Sequence, residues 1–219
     1  MASESGKLAI LGGSGLTGVA LINEALYQGY TVRALVRDTS SLNISHRRLE
    51  VVEGNADDSD AIETMLQGCA AVISALGPTG RSKSAAKAMI CSTATGHLIE
   101  KMGDIGITRY ILVSAASLVM PADKRTNLFG LLAKYVGSLM LGDIIKDKTR
   151  EYRLLAASDL NWTLVRCPSI KEGKFINDVK VNRLTVPGGK VRNAELARFL
   201  VEQLIDTEFE HEGVFVASV

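Results

Sequence analysis

The sequence predicts an α/β fold: a doubly wound, mostly parallel sheet with helices on both faces. Two observations carry this. Short apolar, β-branched runs alternate with longer amphipathic segments from one end of the chain to the other. The short runs are almost continuously apolar, as expected of strands buried on both sides. No repeat, low-complexity stretch or linker divides the 219 residues, so residues 1–219 are expected to form a single domain.

The elements follow in order. Lys7 to Leu11 reads as the first strand, and a glycine-rich loop follows it directly. Leu16 to Gln28 has helical periodicity and stops at Gly29. Thr31 to Val36 and Leu49 to Glu53 are the second and third strands. A short helix over Ser59 to Leu66 is opened by Asp57-Asp58, where a helix N-terminus favours negative charge. Ala70 to Leu76 is a strand closed by Gly77-Pro78, and a helix is expected across Ser84 to Met102. Tyr110 to Ser114, Trp162 to Arg166 and Val214 to Ala217 complete the strands, with helices at Asp143 to Ser158 and Asn193 to Ile205.

Residues 115–142 break the rhythm. They are apolar but studded with Gly130, Gly137 and Gly142, and carry Lys124, Arg125 and Lys134. An insertion after the carboxyl end of a sheet strand lies where ligands bind in such folds. Two readings stay open: a substrate-facing lid, or an additional helix covering the sheet edge.

The composition narrows the function classes. A formal net charge of +1 and no patterned basic run give no reason to expect nucleic acid or a membrane surface as partner. Cys69, Cys91 and Cys167 are odd in number, widely spaced and without a CxxC pair, which argues against a disulfide framework or cysteine zinc site. His46, His97 and His211 show no metal-ligand spacing, so no metal is expected. The N-terminus lacks the pattern of a signal peptide and no apolar run is long enough to span a bilayer. A cytoplasmic protein, monomeric or a small homo-oligomer, is the expectation.

The glycine loop, Gly12-Gly13-Ser14-Gly15-Leu16-Thr17-Gly18, sits between an apolar strand and an amphipathic helix within a βαβ unit. That context makes it a dinucleotide fingerprint and the domain Rossmann-type. A tight turn needs Gly12, close approach of a pyrophosphate needs Gly15, and packing of helix on strand needs Gly18. The free amides of the helix N-terminus would face the phosphates, and Ser14 and Thr17 could add hydroxyl donors. The second strand ends Leu35-Val36-Arg37-Asp38, placing Arg37 where a 2′-phosphate would be read, so NADPH (NADP) is expected. Asp38 leaves NAD open: it either caps the following turn or serves a ribose.

With these blocks in place, the chain resembles the atypical short-chain dehydrogenase/reductase group, and more narrowly its NmrA-like and biliverdin reductase B (flavin reductase)-like members. The resemblance runs through the glycine loop, Ala34-Leu35-Val36-Arg37-Asp38, Val52-Glu53-Gly54-Asn55-Ala56-Asp57, Ala71-Val72-Ile73-Ser74-Ala75-Leu76-Gly77 and Ile111-Leu112-Val113-Ser114. It ends in Ser158 to Pro168 and covers nearly the whole chain. It implies that Asn55 and Ala56 border the adenine, although Asp is usual where Asn55 stands. It also implies that Leu76 and Gly77 line the ribose and nicotinamide side, that Ser114 lies beside the nicotinamide, and that Pro168-Ser169 close the pocket. For Leu76 and Pro168, ordinary packing and chain turning is the alternative.

Many members of the wider superfamily use Tyr-x-x-x-Lys as acid/base. Tyr27, Tyr30, Tyr110, Tyr135 and Tyr152 are followed four positions on by Thr31, Ala34, Ser114, Leu139 and Ala156, so the pair is missing. Lys148 before Tyr152 has the spacing reversed and is not read as that dyad. Alcohol–ketone interconversion and sugar epimerisation need a positioned acid/base; reduction of a conjugated acceptor is less demanding. The expected activity is therefore NADPH-dependent reduction of a flavin, quinone or linear tetrapyrrole, with Ser114 donating near the reacting end. For Ser114 the other reading is a hydroxyl that satisfies strand-end backbone groups. Two functional alternatives stand beside the reductase: a non-catalytic NAD(P) sensor of NmrA type, and a sugar-nucleotide epimerase or dehydratase.

Overall fold

In the computed structural model, residues 6–77, 89–121, 123 and 128–219 are described, and the side chains of 128–141 are not. Among these residues ten strands and five helices follow one another, and seven of the strands with all five helices keep the predicted alternation. Strands β1 (Lys7–Leu11), β2 (Thr31–Val36), β3 (Leu49–Glu53), β4 (Ala71–Ser74), β5 (Arg109–Ala115), β6 (Asn161–Cys167) and β10 (Glu212–Ala217) are mutually parallel. The short β8 (Lys180–Asn182) joins them antiparallel at one edge, giving the order β3-β2-β1-β4-β5-β6-β10-β8. β7 (Ser169–Lys171) and β9 (Lys190–Arg192) form a separate parallel ribbon beyond the end of β6.

The chain winds outward from β1 in both directions, β2 and β3 to one side, β4 to β6 to the other. Strand order therefore reverses between β1 and β4, and the crevice at their carboxyl ends is where ligands bind in open α/β sheets.

The two sheet faces bury two apolar layers. Leu21, Ile22 and Leu26 of α1 (Leu16–Tyr27) pack with Leu196 and Leu200 of α5 (Asn193–Glu202) over Ile10, Ile73 and Ile111. On the other face, α2 (Ser59–Leu66) contributes Ile62, Met65 and Leu66, and α3 (Ile90–Ile105) contributes Ala94, Leu98 and Met102. α4 (Leu128–Ala156) adds Leu155 to that layer. Asp58 caps α2, its carboxylate accepting from the amides of Asp60 and Ala61. No helix among the described residues is long and apolar enough to cross a membrane.

Three differences from the sequence reading have physical causes. α4 starts at Leu128, not Asp143, so residues 128–142 are its first half; isolated glycines cost a helix only about 1 kcal/mol each and do not stop it. Of the remainder of 115–142, Lys124 and Arg125 lie outside the described residues. α3 is described from Ile90 and runs on to Ile105, where Gly106 caps it at φ +77°; the expected start at Ser84 lies outside the described residues. β7, β8 and β9 escaped the reading because Ser-Ile-Lys, Lys-Val-Asn and Lys-Val-Arg are too short and polar to form an apolar run.

Candidate functional site at the carboxyl edge of the sheet

The glycine loop turns out of β1 because Gly12 takes φ +80°, a region costly for any residue with a Cβ. The end of β4 crowds it as well: a Cβ there would lie 3.0 Å from the carbonyl carbon of Ala75 and the nitrogen of Leu76. Gly18 is still more constrained, since its Cβ would fall 2.1 Å from the Gly12 oxygen. Helix and loop touch backbone to backbone. Ser14, Gly15 and Leu16 are exposed while Thr17 and Gly18 are buried. α1 begins after Gly15 with no side chain capping it, so the first amides of the helix are left to an outside acceptor.

Beside the loop, β2 ends in an exposed Arg37. Asp38 turns away into its own local structure. It caps the 3₁₀ turn Thr39–Ser41, accepting at 2.9 Å from the Ser40 amide and 2.6 Å from its hydroxyl, and these bonds hold its carboxyl below the usual range. Of the two roles open for Asp38, the structure shows the cap. After β3, Asn55 is exposed and Ala56 half-buried; the Asn55 carbonyl accepts from the Asp58 amide, leading into α2.

Across the crevice lie the ends of β4 and β5. Leu76 is half-buried, Gly77 exposed, and Ser114 is 4% exposed. The Ser114 hydroxyl has no hydrogen-bond partner among the described residues, so no strand-end backbone group among them takes it up. Ser114 lies in register with Arg166 of β6, and Pro168-Ser169 follow directly, half-buried and exposed. The sheet thus collects Gly12, Gly15, Arg37, Leu76, Ser114 and Pro168 along one edge.

Beneath β4 and β5 runs a buried polar network that the sequence reading did not assemble. Lys148 of α4 donates to the Leu76 carbonyl at 3.2 Å, the Val113 carbonyl at 3.3 Å and the Glu151 carboxylate at 2.9 Å. Burial works most strongly against its ammonium, but the Glu151 charge and hydrogen bond, together with the neighbouring Cys91 and Tyr110, outweigh it in sum and hold its pKa above the ordinary value. Burial pushes Glu151 up, and pushes Cys91 up to about 12. The Tyr110 hydroxyl, 3.1 Å from Thr95 Oγ1, is fully buried and its pKa is raised by desolvation. Lys148 makes no bond to Tyr152, whose ring stands edge-on to Trp162, so the reversed spacing is not an acid/base pair.

Arg166 closes the other side. It is 1% exposed, stacks 3.6 Å over the Phe215 ring and pairs with Asp123 at 2.7 Å, tying the chain that leaves β5 to β6. One clue to the first network was present in the chain: Lys148 and Glu151 stand three apart, on the helix face that also buries Asp147 and Leu155.

The chain matches the model of the NAD(P)H-binding family over residues 12–207. It is 28% identical to a 3 beta-hydroxysteroid dehydrogenase/Delta 5→4-isomerase of Mycobacterium tuberculosis over 131 residues, 55% of this chain, and spans about a third (34%) of that protein's length. Among solved structures it is similar to a short-chain dehydrogenase/reductase of Veillonella parvula in complex with NADP, with TM-score 0.78, 18% identity, and coverage of 97% of this chain and 94% of that one. It is similar also to ChuY, an anaerobilin reductase of Escherichia coli O157:H7, with TM-score 0.78, 17% identity and 97% of each chain covered.

Proposed function

The chain belongs to the NAD(P)H-binding family, and on that premise we propose that it is an atypical short-chain dehydrogenase/reductase, an NADPH-dependent reductase of a conjugated acceptor. The acceptor class is a flavin, quinone or linear tetrapyrrole. When bound, NADPH supplies the hydride.

The glycine loop fits such a cofactor: its backbone is bare where Gly12 and Gly18 exclude any Cβ, and the uncapped first turn of α1 offers amides to a pyrophosphate. Arg37 offers an exposed guanidinium to a 2′-phosphate, and the engagement of Asp38 with Ser40 supports NADPH over NAD. Asn55 and Ala56 border the adenine; Leu76, Gly77 and Pro168 line the nicotinamide end.

The observation that carries the reading is the state of the polar groups beside β5. Tyr110 is locked against Thr95 and Lys148 is spent on Glu151 and two carbonyls, so neither is poised to move a proton. Ser114 holds a buried hydroxyl with no partner among the described residues. That arrangement suits an acceptor whose developing charge is delocalised and needs one hydrogen bond, not an alcohol that requires a general base. The similarity to an anaerobilin reductase supports a reductase, while the hydroxysteroid relative matches over too little of its length to import a substrate.

The test is to mix the protein with NADPH and, separately, FMN, FAD, a quinone and biliverdin, following the nicotinamide absorbance. Turnover with at least one acceptor is expected. Tight NADPH binding without turnover across the panel would sink the reductase and favour a dinucleotide sensor.

A further inference from the structure

The first turn of α5 joins two parts of the molecule that the sheet does not connect. The Asn193 side chain is buried, and its two ends face different elements. Its Nδ2 donates to the carbonyl of Leu16, the first residue of α1, at 3.2 Å. Its Oδ1 accepts from the Gly173 amide at 2.9 Å, in the segment that follows β7. Four residues further on, the Asn177 amide donates to Glu195 Oε1 at 3.4 Å. Glu195 is 1% exposed and held by Arg192 at 2.9 Å and by the Ser218 hydroxyl. A Cβ on Gly173 would meet Arg192 Cδ at 2.9 Å, so the segment is pressed against this turn.

Between its two tethers the segment is open to solvent. Lys174, Phe175 and Ile176 are exposed, with Arg198 lying 4.6 Å from the Phe175 ring centroid. The segment leaves the sheet through Pro168-Ser169, at the acceptor end of the crevice. Asn193 therefore touches the glycine-loop helix with one atom and the acceptor-side segment with the other.

We propose that Asn193 is a positioning residue that couples occupancy of the glycine loop to the placement of residues 172–178. This rests on the reading of the glycine loop as the NADPH site. Charge placed on the first amides of α1 steadies that turn and with it the Leu16 carbonyl. A steadier carbonyl fixes the carboxamide, and the carboxamide fixes the Gly173 amide. The coupling is reciprocal: an acceptor that orders the segment tightens NADPH by the same factor.

Asn193→Asp separates the two halves, because a carboxylate still accepts from Gly173 but cannot donate to Leu16. The experiment measures NADPH affinity by fluorescence and the rate of tryptic cleavage after Lys174 by mass spectrometry, on the same samples. In the native protein NADPH is expected to slow that cleavage about fivefold or more, within the usual range of coupling between sites. In Asn193→Asp, NADPH still binds but the slowing falls below about twofold. Native protein that binds NADPH with unchanged cleavage, or a variant protected like the native protein, overturns the coupling. Failure of the native protein to bind NADPH overturns instead the reading of the glycine loop. Should the variant not fold, hydrogen exchange at the Gly173 amide of the native protein decides: slower exchange with NADPH supports the link, and unchanged exchange defeats it.

Discussion

The two walls of the crevice are built on opposite principles. The β1–α1 wall is made of backbone: glycines let strand, loop and helix meet without side chains, and all its determinants lie within seven consecutive residues. The β4–β5 wall is made of side chains brought from far apart, Lys148 and Glu151 on α4, Thr95 on α3 and Tyr110 and Ser114 on β5. The first wall has no room for a Cβ at Gly12 or Gly18. The second depends on every buried charge keeping its partner. The difference shows why one is written as a motif and the other is not.

Five substitutions test how differently the two walls are held. Lys148→Met strands the Glu151 carboxylate in the core and is expected to destabilise the protein by about 3–5 kcal/mol in urea unfolding, whereas the double variant Lys148→Met with Glu151→Leu recovers most of that loss. A small effect of the single change would show that the second wall is not held by its charges.

Gly18→Ala forces a methyl onto the Gly12 oxygen. It should cost about 1–3 kcal/mol, towards the upper end, and abolish measurable NADPH binding in a fluorescence titration. Binding that survived would mean the first wall can yield after all.

Ser114→Ala discriminates function from structure. The native hydroxyl is buried with no partner among the described residues, so its removal should leave stability unchanged or raise it by about 1 kcal/mol. Turnover with the acceptor identified by the panel should nonetheless fall about 100-fold. Unchanged turnover would remove Ser114 from the chemistry. Arg37→Ala gives the smallest effect: about tenfold weaker NADPH binding with NADH unaffected, read as the ratio of the two dissociation constants. Equal weakening of both would assign Arg37 no part in reading a 2′-phosphate.

Much of this molecule is legible in its chain because local rules govern it. β1, α1, β2, β3 and α2 were expected within a residue of where they lie, since periodicity and caps such as Asp58 act over a few positions. The blocks ending in Asp38, Asp57, Gly77, Ser114 and Pro168 were legible as blocks, and parallel winding alone puts their ends on one edge. The long α4 was half hidden because glycines advertise loops, while a helix supported by tertiary packing accepts them. The ribbon of β7 and β9 was hidden because two three-residue strands have no pattern until they find each other.

The winding of the sheet, the glycine loop and the lack of a Tyr-x-x-x-Lys pair are readable from the chain, since all are properties of neighbours or of a fixed spacing. Only the folded arrangement shows that Lys148 bridges the ends of β4 and β5 and that the Ser114 hydroxyl meets no partner among the described residues. The physical reason is the same in each case. A hydrogen bond is satisfied by whatever atom the fold brings within about 3 Å, and in a doubly wound sheet that atom often comes from a strand or helix dozens of residues away.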